Sequence, residues 1–223
     1  MSQFPYRAAL IVGVGSGISA SLARALASLG VRVGLAARNI EKLGPLVAET
    51  GASTFAADAT DAKTVASLFE RATEAIGEPD VVVYNASLRA QGPLAELDPA
   101  AVQKAIAVSA FGGFLVAQQA AKRMIPHARG AILLTGATAS LKGFAHSAAF
   151  AMGKFALRGL AQSAARELGP KGIHVAHFII DGGVRSAARP DPAEKPDSTL
   201  SPDASPTSPT RADFCDFRGV RAR

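Results

Sequence analysis

The chain has 223 residues, of which 48% are apolar and none is Trp, so it can build one sizeable core from mainly aliphatic side chains. Its net charge is +6, but the 24 basic residues are scattered, which argues against a nucleic-acid-binding face. A single cysteine, Cys215, excludes an internal disulfide and favours a reducing compartment. The four histidines show no ligand spacing, so no metal site is predicted.

Apolar runs and helical patterns alternate along the chain to about residue 183. The first run, residues 8–12, is continuously apolar, as in a strand buried on both faces. Further strands are predicted at 31–37, 53–57, 81–85, 131–135 and 174–180. Helices are predicted at 20–29, 40–49, 61–76, 99–125 with an interruption at Gly112-Gly113, and 148–168. This alternation predicts a single-domain α/β fold, a doubly wound (Rossmann-type) parallel sheet of about six strands with helices on both faces.

A glycine-rich loop, residues 13–19, lies between the first strand and the first helix. Its glycines, Gly13, Gly15 and Gly17, allow phosphate groups to approach the backbone closely. The helix N-terminus that follows favours negative charge. The loop therefore predicts a pyrophosphate site, and the alternative is a tight turn that binds no ligand.

The last 39 residues differ in composition from the rest of the chain. Six of the thirteen prolines lie beyond Arg185, among Ser, Asp and Thr, with almost no apolar periodicity. We therefore expect a dinucleotide-binding domain at 1–184 and a Pro/Ser-rich, partly disordered tail at 185–223. No signal peptide and no apolar run long enough to cross a bilayer is apparent, so the expected location is cytoplasmic, without a membrane or nucleic-acid partner.

With these elements in place, the chain resembles a short-chain dehydrogenase/reductase over roughly residues 6–186. The loop is similar to the family's cofactor turn, with Ser19 where a third glycine is usual, and Asn85-Ala86-Ser87 resembles its Asn-Ala-Gly element. Residues 150–154, Phe-Ala-Met-Gly-Lys, stand in place of the family's Tyr-x3-Lys motif. The cofactor site that the resemblance implies comprises Gly13, Gly15, Ser16, Gly17, Ile18, Arg38, Asp58, Ala59, Asn85, Ala86, Ser87, Lys154, Asp181, Gly182 and Val184.

The residue after the second strand bears on the choice of cofactor. An acidic side chain about 20 positions past the loop would bond the ribose 2′-hydroxyl of NAD. Here that region holds Ala37 and Arg38. A guanidinium pairs well with a 2′-phosphate. NADP(H) is therefore favoured over NAD(H), and the alternative is an exposed arginine ahead of a helix.

The catalytic positions that the resemblance implies are mostly changed. In the family a tyrosine donates the proton, a lysine lowers its pKa and holds the ribose, a serine orients the carbonyl and an asparagine supports the lysine. Phe150, Ala137 and Ser109 stand at the tyrosine, serine and asparagine positions, and only Lys154 matches. A lost general acid costs about 10²–10⁴ in rate. Groups that would replace it are Thr138, Ser140, His146 and Ser109.

Two functions are consistent with this pattern. The first is a short-chain-type oxidoreductase that transfers a hydride between NADP(H) and an unidentified carbonyl or alcohol substrate. The second is a catalytically silent NADP-binding protein that acts as a sensor or assembly partner. The long helices carry small residues compatible with a homodimer, and the alternative is that these residues pack against the sheet. The tail either replaces the family's usual lid and seventh strand or reflects an altered C-terminus, such as a shifted reading frame.

Overall fold

A computed structural model describes residues 5–186, 194 and 199–203 of the chain. One six-stranded sheet has the order β3-β2-β1-β4-β5-β6, and every pairing in it is parallel. The strands are β1 (Ala8–Val12), β2 (Arg32–Ala37), β3 (Ser53–Ala56), β4 (Val81–Tyr84), β5 (Gly130–Ala137) and β6 (Ile173–Ile180). The predicted fold class is confirmed.

Six α-helices connect these strands in the described part of the chain. They are α1 (Ile18–Ser28), α2 (Gly44–Thr50), α3 (Ala62–Ile76), α4 (Pro99–Ile106), α5 (Gly112–Met124) and α6 (Ala148–Leu168). Asp61 caps α3 by accepting a hydrogen bond from the Thr64 amide, and Asp98 caps α4 in the same way. Pro45 lies in the first turn of α2, where a proline fits because no intrahelical donor is needed. The helix predicted at 40–49 therefore begins later, after a short 3-10 turn.

The central strand β1 is buried on both faces because its alternate residues enter two different cores. Leu10 and Val12 pack with side chains of α3, α5 and α6. Ala9 and Ile11 pack with side chains of α1 and α2. Between β1 and β4 the chain order of the strands reverses, so helices leave in opposite directions and a crevice opens at the carboxyl ends. Both cavities described below lie at that crevice.

The long helical region is interrupted before its glycine pair and not at it. A π-helical turn, Ala107–Phe111, separates α4 from α5, and Gly112 and Gly113 begin α5. A Cβ at Gly112 would lie 2.9 Å from the Ala59 carbonyl, and one at Gly113 would lie 2.6 Å from Leu157. The glycines therefore allow close packing, and the predicted break at these positions was wrong.

The helical run Pro99–His127 is long and apolar enough, by length and composition, to cross a bilayer. The sequence analysis found no uninterrupted apolar run of this length, so this finding differs from that expectation. Leu115, Val116, Ala120 and Met124 of this run are buried in the core with the sheet. The apolar residues on the face of the helix that packs against the sheet are therefore explained by burial within the fold.

The chain beyond β6 is described only in part. Val184 forms an isolated parallel bridge with Leu200; the Arg185 amide donates to the Leu200 carbonyl at 2.9 Å. The Leu200 amide donates to the Gly183 carbonyl at 2.7 Å. Cys215 and most of the predicted tail lie outside the described residues.

Candidate active site

The glycine loop turns sharply at the carboxyl end of β1. Gly13 has φ +87°, and a Cβ there would lie 2.5 Å from the Ala86 Cα, so only glycine fits. Gly15 has nothing within 4 Å of where its Cβ would be. The Ser19 hydroxyl donates to the Gly13 carbonyl at 3.3 Å and accepts from the side-chain Nδ2 of Asn85 at 2.7 Å. The serine at the third-glycine position thus ties the loop to the end of β4.

The N-terminus of α1 has no side-chain cap. Its N-cap residue is Gly17, and its first turn contains no acidic residue. The amides of such a turn favour an anion, because the helix dipole adds to their hydrogen bonds. Together with the open space at Gly15, this end of the helix fits a phosphate group.

A first cavity of 390 Å³ lies on the β2 and β3 side of the loop. Asp58 in its wall accepts hydrogen bonds from the Thr60 amide at 2.9 Å and the Thr60 hydroxyl at 2.7 Å. These bonds, with a smaller contribution from the Arg38 charge, lower the pKa of Asp58. The lining residues are Val12, Gly13, Val14, Gly15, Ala36, Ala37, Arg38, Asn39, Ala57, Asp58, Ala59, Thr60, Asn85, Ala86, Ser87 and Val108.

A second cavity of 350 Å³ lies next to the first and shares Asn85 and Ser87 with it. The Arg89 guanidinium lies over the Phe150 ring, with its central carbon 4.3 Å from the ring centre. The Lys154 ammonium lies 5.8 Å from the same centre. The lining residues are Ile18, Asn85, Ser87, Arg89, Thr135, Gly136, Ala137, Phe150, Lys154, Ile180, Gly182, Val184 and Ser186.

Lys154 is almost completely buried, with 3% of its surface exposed. Its ammonium donates to the Thr135 carbonyl at 2.6 Å. Burial, and to a smaller extent the nearby Arg89 charge, lowers the pKa of Lys154 to about 8. The side chain is therefore protonated at neutral pH but close to the range in which it can give up a proton.

Comparison with known proteins identifies the family. The sequence model of the short chain dehydrogenase family matches residues 7–195. The chain belongs to this family. It is similar to momilactone A synthase of Oryza sativa subsp. japonica, with 36% identity over 76% of this chain and 64% of that protein. Across the curated relatives compared, this short-chain dehydrogenase spans 57% to 73% of the relative's length.

Solved structures of the same fold agree with this assignment. A short-chain dehydrogenase from Rhodopseudomonas palustris superposes with a TM-score of 0.73 and 32% identity, over 87% of this chain and 97% of that one. ElxO with NADP bound gives a TM-score of 0.77 and 25% identity, over 82% and 76% of the two chains. A tyrosine-to-phenylalanine variant of ElxO, with NADPH bound, gives the same TM-score at 26% identity.

The predicted catalytic residues of this short-chain dehydrogenase do not all meet in one place. Phe150, Lys154 and Ala137 line the second cavity together. Ser109 is buried outside both cavity walls, where its hydroxyl accepts from the Leu88 amide at 3.3 Å. His146 is exposed, has φ +59° and lines neither cavity.

The predicted cofactor residues are divided between the two cavities. Gly13, Gly15, Arg38, Asp58, Ala59 and Ala86 line the first cavity; Ile18, Gly182, Val184 and Lys154 line the second; Asn85 and Ser87 line both. Ser16 and Gly17 lie in the loop outside both linings. Asp181 instead accepts a hydrogen bond from the Thr138 hydroxyl at 2.5 Å.

Sequence reasoning missed two charged or titratable side chains near the cavity. Arg89 follows Asn85 by four residues, and a basic residue in the loop after β4 was the available signal. His177 lies on β6, with a ring nitrogen 3.5 Å from the Ser140 hydroxyl. Burial, then the charges of Lys154 and Arg158, lower the pKa of His177 to about 4. His177 is therefore neutral at physiological pH. Among the described residues, no group of three His, Cys, Asp or Glu side chains is placed to hold a metal ion.

Proposed function

We propose that this short-chain dehydrogenase is an NADP(H)-dependent oxidoreductase that interconverts a carbonyl compound and the corresponding alcohol. The observation that carries the proposal is the pair of adjoining cavities, which run from Arg38 past the glycine loop to Lys154. A dinucleotide needs two neighbouring sites of this kind, joined at a phosphate-binding turn. The uncapped N-terminus of α1 and the open space at Gly15 supply that turn.

The residues of the two cavities have separate roles in holding the cofactor. Asp58 and Arg38 would bind the adenosine end, Arg38 by pairing with a 2′-phosphate. Asn85 and Ser87 would lie along the middle, and Lys154 with Gly182 and Val184 at the nicotinamide end. When bound, NADP(H) supplies or accepts the hydride. NADP bound to ElxO and NADPH bound to its variant support this choice of cofactor.

Lys154 is the residue best suited to move the proton. Phe150 has no proton to donate and Ala137 has no hydroxyl, whereas the Lys154 ammonium lies in the cavity wall with a pKa near 8. A general acid is most efficient when its pKa is close to the working pH. In the reduction direction, Lys154 Nζ would give its proton to the carbonyl oxygen of the substrate. The amine then regains a proton from solvent.

A second function is favoured by the same two substitutions. Phe150 and Ala137 leave the cavity without the hydroxyl donors that the family uses, which is what a silent NADP-binding protein would have. The variant of ElxO with phenylalanine in place of a tyrosine holds NADPH, so loss of a phenol is compatible with cofactor binding in a relative. Turnover separates the two functions: NADPH oxidation by carbonyl compounds supports the enzyme, and tight binding without oxidation supports the silent protein.

Calorimetric titration with NADPH and, separately, with NADH tests the cofactor assignment. We expect micromolar binding of NADPH and weaker binding of NADH, because a 2′-phosphate gains a charge-assisted contact with Arg38. Absence of binding to either dinucleotide, in protein shown to be folded by circular dichroism, would overturn the proposed function.

We also propose a homodimer formed through α5 and α6. Phe114 on α5 stacks with Phe111, with ring centres 6.1 Å apart, and both are exposed. Met152 and Phe155 on α6 are exposed as well. Apolar side chains of this size gain from being covered by a second copy. Sedimentation analysis is expected to give a dimer, and Phe155→Glu a monomer; a monomeric wild type would contradict the proposal.

A further inference from the structure

The Lys154 amine is enclosed by protein and yet reaches a cavity. The residue is 3% exposed, but it belongs to the lining of the second cavity, which has a volume of 350 Å³. Cavities of this size hold small organic molecules. A lysine amine is a nucleophile only when it is uncharged, and burial favours the uncharged form. The position of Lys154 therefore combines access from the cavity with the surroundings that make an amine reactive.

The charged and titratable neighbours of Lys154 come from three elements. They are Arg89 in the loop after β4, Arg158 one turn further along α6, and His177 on β6, which is neutral because burial lowers its pKa to about 4. Among the described residues that line the cavity, none carries a carboxylate that would favour the ammonium.

These surroundings leave an unusual share of the Lys154 amine uncharged. Burial, and then the Arg89 charge, lower the pKa of Lys154 to about 8. About a tenth of the amine is therefore neutral at pH 7, about 300 times the neutral fraction of an ordinary lysine.

The hydrogen bond of Lys154 is compatible with a covalent bond from Nζ to carbon. Nζ donates to the Thr135 carbonyl at 2.6 Å. When a neutral amine condenses with an aldehyde, its two hydrogens leave in the water that forms, and the imine nitrogen then takes up one proton. That one N–H can donate to the Thr135 carbonyl in place of the ammonium, so the condensation leaves no buried polar group without a partner.

We propose that Lys154 binds aldehydes covalently, by forming an imine between Nζ and the carbonyl carbon. The neutral amine attacks that carbon, the carbonyl oxygen leaves as water with the two amine hydrogens, and a C=N bond remains. Phe150, whose ring centre is 5.8 Å from Nζ, and Ala137 provide apolar surroundings that protect the imine from hydrolysis. Aldehydes are the expected class because one substituent of their carbonyl carbon is hydrogen, which needs little space beside the ring.

This activity goes beyond the proposed function, because it requires neither a hydride nor a cofactor. Every lysine forms imines to some extent, so the test compares two lysines of the same protein. Lys142 is the reference, since it is exposed, lies 5.3 Å from the centre of the Phe144 ring and lines neither cavity.

Reductive trapping measures imine formation at both lysines in one sample. Wild-type protein without cofactor is incubated with propanal and sodium cyanoborohydride, whose hydride converts each imine into a stable propylamine. Peptide mass spectrometry then gives the rates of propylation of Lys154 and Lys142. The ratio of the two rates is independent of the reagent concentrations. Lys154→Met and Lys142→Met confirm which site each signal comes from.

At pH 7, Lys154 should be propylated about 10- to 100-fold faster than Lys142, somewhat less than the ratio of neutral amines because a less basic amine is a weaker nucleophile. The ratio should fall towards one at pH 10.5, where an ordinary lysine is half neutral. It should also be close to one at pH 7 in concentrated urea, which removes the cavity. Lys142→Met should leave the propylation rate of Lys154 unchanged.

Propylation of Lys154 less than about tenfold faster than that of Lys142, in folded wild type at pH 7, would overturn the proposal. The same ratio in urea as in the folded protein would also overturn it. Both results come from wild type, so they do not depend on the folding of a variant. Failure to bind NADPH would overturn the proposed function and leave this inference standing, whereas slow propylation of Lys154 would leave NADPH binding unaffected.

Discussion

Replacing Lys154 by methionine should change how stability depends on pH. The folded protein lowers the pKa of Lys154 from 10.5 to about 8, which corresponds to about 3 kcal/mol of unfavourable free energy for the charged, folded form at neutral pH. Between pH 8 and 10.5 the unfolded chain binds this proton and the folded protein does not. The contribution of Lys154 to the free energy of unfolding of wild type therefore rises with pH between 8 and 10.5 and is lowest below pH 8.

Urea unfolding followed by circular dichroism at several pH values measures this effect. The difference in the free energy of unfolding between wild type and Lys154→Met should shift by about 3 kcal/mol in favour of wild type from pH 7 to 10.5. Other lysines and tyrosines titrate in both proteins, so they cancel in the difference. The exposed Lys142 provides the control, since Lys142→Met should show a constant difference. A constant difference for Lys154→Met would refute the lowered pKa.

Four further results are expected. The reduction rate should fall about tenfold per pH unit above pH 8 as Lys154 loses its proton, and a flat profile would exclude it as the donor. Phe150→Tyr combined with Ala137→Ser should raise turnover of simple carbonyls by about 10²–10⁴, and no gain would mean that the cavity serves another purpose. Arg38→Glu should weaken NADPH binding by about 10- to 100-fold in calorimetry without weakening NADH; equal losses would contradict the 2′-phosphate contact. As pH falls from 6.5 towards 4, the free energy of unfolding of wild type should decrease, because His177 takes up a proton in the unfolded chain but not in the folded protein. In urea unfolding, His177→Gln should make the free energy of unfolding depend less steeply on pH in this range. An unchanged dependence would refute that account.

The sheet was predictable because its strands are continuous apolar runs. Residues 8–12 are apolar at every position, and the two cores on either side of β1 explain why no alternation is present. The predicted strand bounds differ from the observed ones by at most two residues. Gly112 and Gly113 were misinterpreted as a helix break. Glycine is needed there because the backbone approaches Ala59 and Leu157 closely, and these residues are too distant in sequence for the local pattern to reveal the contacts.

The candidate site was predictable only where it depends on chain order. The glycine loop, Asp58 and Asn85 follow the carboxyl ends of β1, β3 and β4, so their convergence at one edge of the parallel sheet follows from the fold. Arg89 was not found because its place in the cavity wall goes with its contact with the Phe150 ring of α6. That contact joins elements that are far apart in sequence. The roles of the individual site residues stay predictions until the variants are measured.

A single backbone hydrogen bond couples the two loops that border the second cavity. The Gly92 amide, just beyond Arg89, donates to the carbonyl of His146, just before Phe150, at 3.1 Å. Gly92 and His146 both adopt positive φ, +154° and +59°, so each loop is shaped to make this bond. An engineer who exchanges one of these loops for that of a relative would leave the other without its anchor. Grafts at this site should therefore transfer both segments as one cassette.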